Sequence, residues 1–185
     1  NDGVSCDGPA ESFTITVNPT AQVNIPADQV VCNTELTTML FTTENTVGVT
    51  TYAWTSDIEI GAGLTGAADG FPVLYTAINL GTEPLVATII VTPTFTNDGV
   101  GCVGPTESFT ITVNPTGQVD ITADQVVCNA EATTVVFTTE NTVGVTAYAW
   151  TSDIEIGAGL TGAGDMSFTA ANEGTDPLVA TIIVT

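Results

Sequence analysis

Strict alternation of apolar and polar positions organises this chain. In residues 11–17 (ESFTITV), Phe13, Ile15 and Val17 fall on one side and Thr14 and Thr16 on the other. That is the period of two of a half-buried strand, ended by the Asn18-Pro19 breaker. The same nine letters, ESFTITVNP, return at residues 107–115. Between the copies the pattern predicts further strands. Residues 22–25 and 29–31 read as a first strand broken at Pro26, and Cys32-Asn33 as a turn. Residues 37–43 place Met39 and Phe41 on one face, and residues 50–56 do the same with Tyr52 and Trp54. A short strand over 58–64 runs into a Gly-rich bend, another covers 72–77, and residues 85–92 (LVATIIVT) are apolar on both faces, as in a central strand. Residues 44–48 and 97–105 read as loops.

The whole pattern then repeats. Cys6 and Cys102, Cys32 and Cys128, and Trp54 and Trp150 are each 96 residues apart. After Leu64 the first unit carries three extra residues, so Leu85 matches Leu178 at a spacing of 93, a difference that a surface loop or edge strand tolerates. Residues 1–20 read as the closing strand of a preceding or neighbouring repeat. Residues 21–116 form a complete repeat, and residues 117–185 a second repeat without its last strand. About seven strands in roughly 100 residues, with turn signals every 8 to 12, predict an all-β fold of tandem immunoglobulin-like β-sandwiches.

Charge narrows the function. The chain has no Lys, Arg or His against 21 Asp and Glu, a formal charge of −21. It offers nothing to neutralise phosphates, which argues against nucleic-acid partners and against polybasic attraction to anionic lipid. Catalysis through a protein His, Lys or Arg is ruled out, and free Ser and Thr hydroxyls have no such base to activate them. No segment approaches the roughly 18 to 20 unbroken apolar residues of a membrane-spanning helix. The chain reads as a non-enzyme with no membrane insertion.

In order and spacing, DQVVCN, TYAWTSDIEIG, SFTAANEG, ATIIVT, GCVGP and ESFTITVNP resemble the PKD-like, immunoglobulin-like repeats of very long secreted surface proteins of Bacteroidota, including adhesins linked to gliding motility and type IX secretion. Thr55-Ser56-Asp57 stands where true PKD domains carry an acidic GDG turn. The resemblance implies a fold, an extracellular or cell-surface location and a general role, and no binding residues.

Four cysteines at matched positions in such a chain favour disulfides over metal, since no close C-x-x-C pair is present. One arrangement closes Cys32 onto Cys102 within the complete repeat and leaves Cys6 and Cys128 to pair with neighbouring copies. The other follows from sandwich topology, which puts those two loops at opposite ends, and joins successive units across their junction. Trp54 and Trp150 read as core aromatics rather than sugar-stacking platforms. Asp57 with Glu59, and Asp153 with Glu155, place two carboxylates on one strand face. They read as a solvated face, and as weak calcium candidates in a chain without internal cations. No other cofactor is implied.

The expectation is a structural repeat unit of an extracellular filament or cell-surface stalk. Units join head to tail, and the strand in residues 1–20 completes the open sandwich of an adjacent copy. Separate subunits and a window cut from one giant polypeptide both fit, and the closeness of the repeats and the start within a domain favour the window. The alternative expectation is an adhesive, carbohydrate- or surface-binding module, which requires Trp54 or Tyr52 at the surface.

Overall fold

The computed structural model describes residues 2–3, 7–120 and 122–185. Over these residues the chain is all-β, with no helix. The first eight strands are β1 (Gln29–Cys32), β2 (Leu36–Met39), β3 (Val49–Ser56), β4 (Thr65–Ala68), β5 (Val73–Thr76), β6 (Leu85–Asn97), β7 (Val100–Val103) and β8 (Glu107–Asn114). One sheet runs in the order β1-β8-β6-β3-β4, with β7 pairing the far end of β6. β2 and β5 form a separate antiparallel pair.

Both sheets feed one core. Tyr52 and Trp54 of β3, Ala87, Ile89 and Val91 of β6, and Phe109, Ile111 and Val113 of β8 are buried with Met39 and Tyr75 of the smaller sheet, and with Phe41. Each strand supplies alternate residues, as the period of two requires. Long, central β6 carries a proline, which sheets tolerate only where a ladder hydrogen bond is not needed. Pro93 sits where β6 changes neighbour: β8 pairs it up to Val91 and β7 takes over from Thr94.

The remaining strands are β9 (Ala132–Val135), β10 (Ala149–Ser152), β11 (Thr161–Ala163), β12 (Met166–Thr169) and β13 (Ile182–Val184). β10 lies between β11 and β13, as β3 lies between β4 and β6, and β9 pairs β12 as β2 pairs β5. The registers match too: Trp54 faces Gly66 and Val91, and Trp150 faces Gly162 and Val184. The second core is smaller, built on Phe137, Trp150 and Met166.

Three sequence expectations are corrected. Residues 58–64 form no strand, because Glu59 folds them into a loop: its Oε1 accepts from Gly61 N–H at 2.7 Å and Gly63 N–H at 3.0 Å. The expected loop over 97–105 contains β7, which turns back on β6 through the positive-φ residues Asp98 and Gly99. Residues 22–25 contribute only an isolated bridge between Asn24 and Thr42.

Candidate functional site

The feature most unlike a finished fold is the pair formed by residues 11–18 and the outer edge of β13. In the first unit, β8 shows how ESFTITVN is held. It runs antiparallel to β6, with Phe109 opposite Ile89, Ile111 opposite Ala87 and Val113 opposite Leu85. On its other side it runs parallel to β1, with Ile111 opposite Gln29 and Asn114 opposite Cys32. Polar clamps fix this register. Thr110 N–H donates to Asp28 Oδ1 at 2.7 Å, Asn79 Nδ2 donates to Val113 O at 2.7 Å, and Asn33 N–H donates to Asn114 O at 2.9 Å.

Residues 11–18 carry the same eight letters and lie in no strand. Phe13, Ile15 and Val17 are 84%, 78% and 86% exposed, whereas their matches Phe109, Ile111 and Val113 are at most 4% exposed. The same letters are thus buried as β8 and left open as residues 11–18.

In the second unit the matching edge of β13 has no described partner. Among the described residues, β13 pairs β10 on one side and nothing on the other, whereas β6 is flanked by β3 and β8. Residues 125–128, the counterpart of β1, are in no strand. Val31 of β1 is 7% exposed, and its match Val127 is 39% exposed. Ile182 and Val184 are half-buried where Ile89 and Val91 are fully buried. The clamps recur without their strand. Asp124, Asn172 and Asn129 match Asp28, Asn79 and Asn33, and Asn129 Oδ1 already accepts from Asn172 N–H at 2.9 Å, as Asn33 Oδ1 does from Asn79 N–H at 2.8 Å. The β13 edge thus combines ladder groups without a described partner, a half-buried apolar row and the repeated clamp residues.

The contact between successive units is also written twice. Asn141 Nδ2 donates to Thr116 O at 3.3 Å, and Asn45 Nδ2 to Thr20 O at 3.4 Å. Gln118 N–H donates to Asn141 Oδ1 at 2.9 Å, and Gln22 N–H to Asn45 Oδ1 at 3.0 Å. Thr20 therefore meets the first unit as Thr116 meets the second. Asn18 adds Nδ2 bonds to Asn97 O at 3.3 Å and Val100 O at 3.4 Å.

No protein-family model matches the chain, and neither does any curated protein sequence. The reading of the site therefore rests on its geometry.

The other sequence candidates are occupied by structural work. Asp57 Oδ1 accepts from Thr88 N–H, and Asp153 Oδ1 from Thr181 N–H, at 2.7 Å each. Glu59 organises its glycine loop, and Glu155 does the same with Gly157 N–H at 2.6 Å and Gly159 N–H at 2.9 Å. No group of three or more metal-ligating side chains is assembled among the described residues. Trp54, Trp150 and Tyr52 are buried, so the adhesive expectation that needs Trp54 or Tyr52 exposed finds no platform in these side chains.

The Cys32–Cys102 bridge is corrected as well. Cys32, Cys102 and Cys128 are free thiols. Cys32 is level with Asn114, which ends β8 beside Leu85, while Cys102 faces Phe95 at the other end of β6. Ten strand positions hold them about 30 Å apart, against the limit of about 7 Å between Cα atoms of a disulfide. Cys6 lies outside the described residues. Sequence reasoning singled out the two ESFTITVNP segments, but not the clamps Asp28, Asn33 and Asn79. Their signal was available as DQVVCN and the Asn of AxNxG, each present twice.

Proposed function

We propose that this chain is a structural subunit of a head-to-tail filament built from tandem immunoglobulin-like sandwiches, in which residues 11–18 of one copy fill the slot beside β13 of another. One observation carries the reading. The same eight residues form a buried strand in one place and are exposed in another, and the same chain holds an open slot of matching register. Transferring the β8 register seats Phe13 opposite Ile182, Ile15 opposite Ala180 and Val17 opposite Leu178, with Asn18 beside Cys128. Burying the three apolar side chains favours the contact by about 2 kcal/mol each, and main-chain ladders on both sides add to it.

Donor and acceptor are different surfaces, so the contact is heterologous, and it propagates into a filament wherever its rotation does not close a ring. Load would pass through ladders and cores, which is the role of a stalk or fibre. The acidic, cation-free surface keeps neighbouring filaments apart. The resemblance to repeats of Bacteroidota surface proteins supports an extracellular, cell-surface setting. The reading assigns no enzymatic activity and no cofactor.

The test compares the full chain with a variant lacking residues 1–20, using light scattering and electron microscopy. Assembly of the full chain, its loss on deletion, and its inhibition by a synthetic ESFTITVN peptide are expected. Assemblies that persist without residues 1–20, or a full chain that stays monomeric, would overturn the reading. Natural material that remains far heavier than 18.9 kDa after reduction would show the strand passing between repeats of one longer polypeptide instead.

A further inference from the structure

We infer that Cys128 of one copy and Cys102 of the next form a disulfide across the junction, an inference that rests on the strand-filling reading above. Within a unit the two conserved-spacing cysteines sit at opposite ends, so neither has an internal partner. The junction supplies one. In the first unit Cys32 is the register partner of Asn114. Seating residues 11–18 in the slot with the same register puts the donor's Asn18 beside the acceptor's Cys128.

Asn18 is already tied to its own first unit at the end that carries Cys102. Its Nδ2 donates to Asn97 O at 3.3 Å and Val100 O at 3.4 Å, and its Oδ1 accepts from Asn97 Nδ2 at 3.0 Å. Val100 opens β7 two residues before Cys102, about 7 Å along the strand. One short residue, Asn18, therefore bridges the neighbourhood of both thiols. Cys128 is exposed and Cys102 half-exposed, so an oxidant reaches both. Two S–H bonds break and one Sγ–Sγ bond forms. The S–S bond of a small-molecule disulfide breaks in exchange, and its two sulfurs take up the two electrons and the two protons and leave as two thiols. The bond would lock covalently a junction that the strand alone holds reversibly.

The test uses the full chain with Cys6→Ser and Cys32→Ser, leaving only this pair, assembled in the presence of oxidised glutathione. Boiled samples without reductant are expected to give a ladder that collapses to 18.9 kDa on reduction. Peptide mapping after cleavage at acidic residues should recover Cys102 linked to Cys128. Adding Cys102→Ser, on β7 and outside the slot, should abolish the ladder while light scattering stays unchanged. Assembly without that linked peptide, or a link confined to single chains, would overturn the disulfide and leave the strand reading standing. Absence of assembly, by light scattering before any denaturation, would overturn the strand reading and this inference with it.

Discussion

The Phe109 ring meets Phe41 edge-on, with centroids 6.3 Å apart, and Phe41 in turn lies 5.7 Å from Tyr52. In the second unit Phe137 keeps its 5.7 Å contact with Tyr148, but the third ring is missing. The residue that matches it in sequence is Phe13, exposed at the other end of the chain. The two phenylalanines of ESFTITVN should therefore fail differently when truncated. Phe109→Ala opens a cavity in a formed core and should cost about 3–5 kcal/mol, read as a lower denaturation midpoint of the isolated chain. Phe13→Ala should leave that midpoint unchanged and weaken assembly by tenfold or more. A Phe13→Ala chain that assembles like the parent would refute the shared role.

The aspartate clamps separate in the same way. Asp28 accepts the Thr110 N–H at 2.7 Å, so Asp28→Ala should destabilise the isolated chain by about 1 kcal/mol. Asp124 occupies the matching place beside an empty slot. Asp124→Ala should be neutral in the isolated chain, and should lower affinity for an ESFTITVN peptide severalfold in a titration. Equal effects of both substitutions on the unassembled chain would contradict the equivalence.

The alternation of Phe13, Ile15 and Val17, the 96-residue spacing and the central Trp strand made an all-β architecture legible from sequence, because these signals follow directly from the geometry of a pleated strand. The return of ESFTITVN at residues 11–18 and 107–114 was legible for the same reason. What periodicity does not encode is which strand ends share a level. The Cys32–Cys102 bridge failed because β1 runs parallel to β8 and β7 pairs the opposite end of β6. The expected strand over 58–64 failed because an acceptor two and four residues before its glycines, Glu59, outcompetes ladder pairing. β7 was hidden by Pro93, which marks a change of partner and not the end of β6.

Trp54 lies across Gly66, its register partner, and Trp150 across Gly162. A Cβ at Gly66 would overlap the Trp54 ring, and one at Gly162 the Trp150 ring. Gly66→Ala should therefore push Trp54 off its seat at a cost of about 1–3 kcal/mol. The readout is tryptophan emission: blue-shifted and poorly quenched by iodide in the parent, red-shifted in Gly66→Ala. Emission that is already red and fully quenchable in the parent would refute the burial of both indoles.

Alkaline pH offers a last check on the packing of the two sheets. Burial pushes the Tyr75 hydroxyl up to about 12 from an ordinary value of 10.0; the Thr37 hydroxyl opposite, without a well-formed hydrogen bond to it, offsets a smaller part. Burial raises Tyr52 as well, partly offset by Thr43. Below pH 10 both states hold the phenolic proton and stability is at its full value. Between pH 10 and 12 the unfolded chain releases the proton while the folded chain retains it, so the unfolded state binds fewer protons and stability falls as pH rises. Urea midpoints measured across this range should drop, and Tyr75→Phe should flatten the decline. A midpoint that holds constant to pH 12 would mean that Tyr75 is not enclosed between β2 and the core.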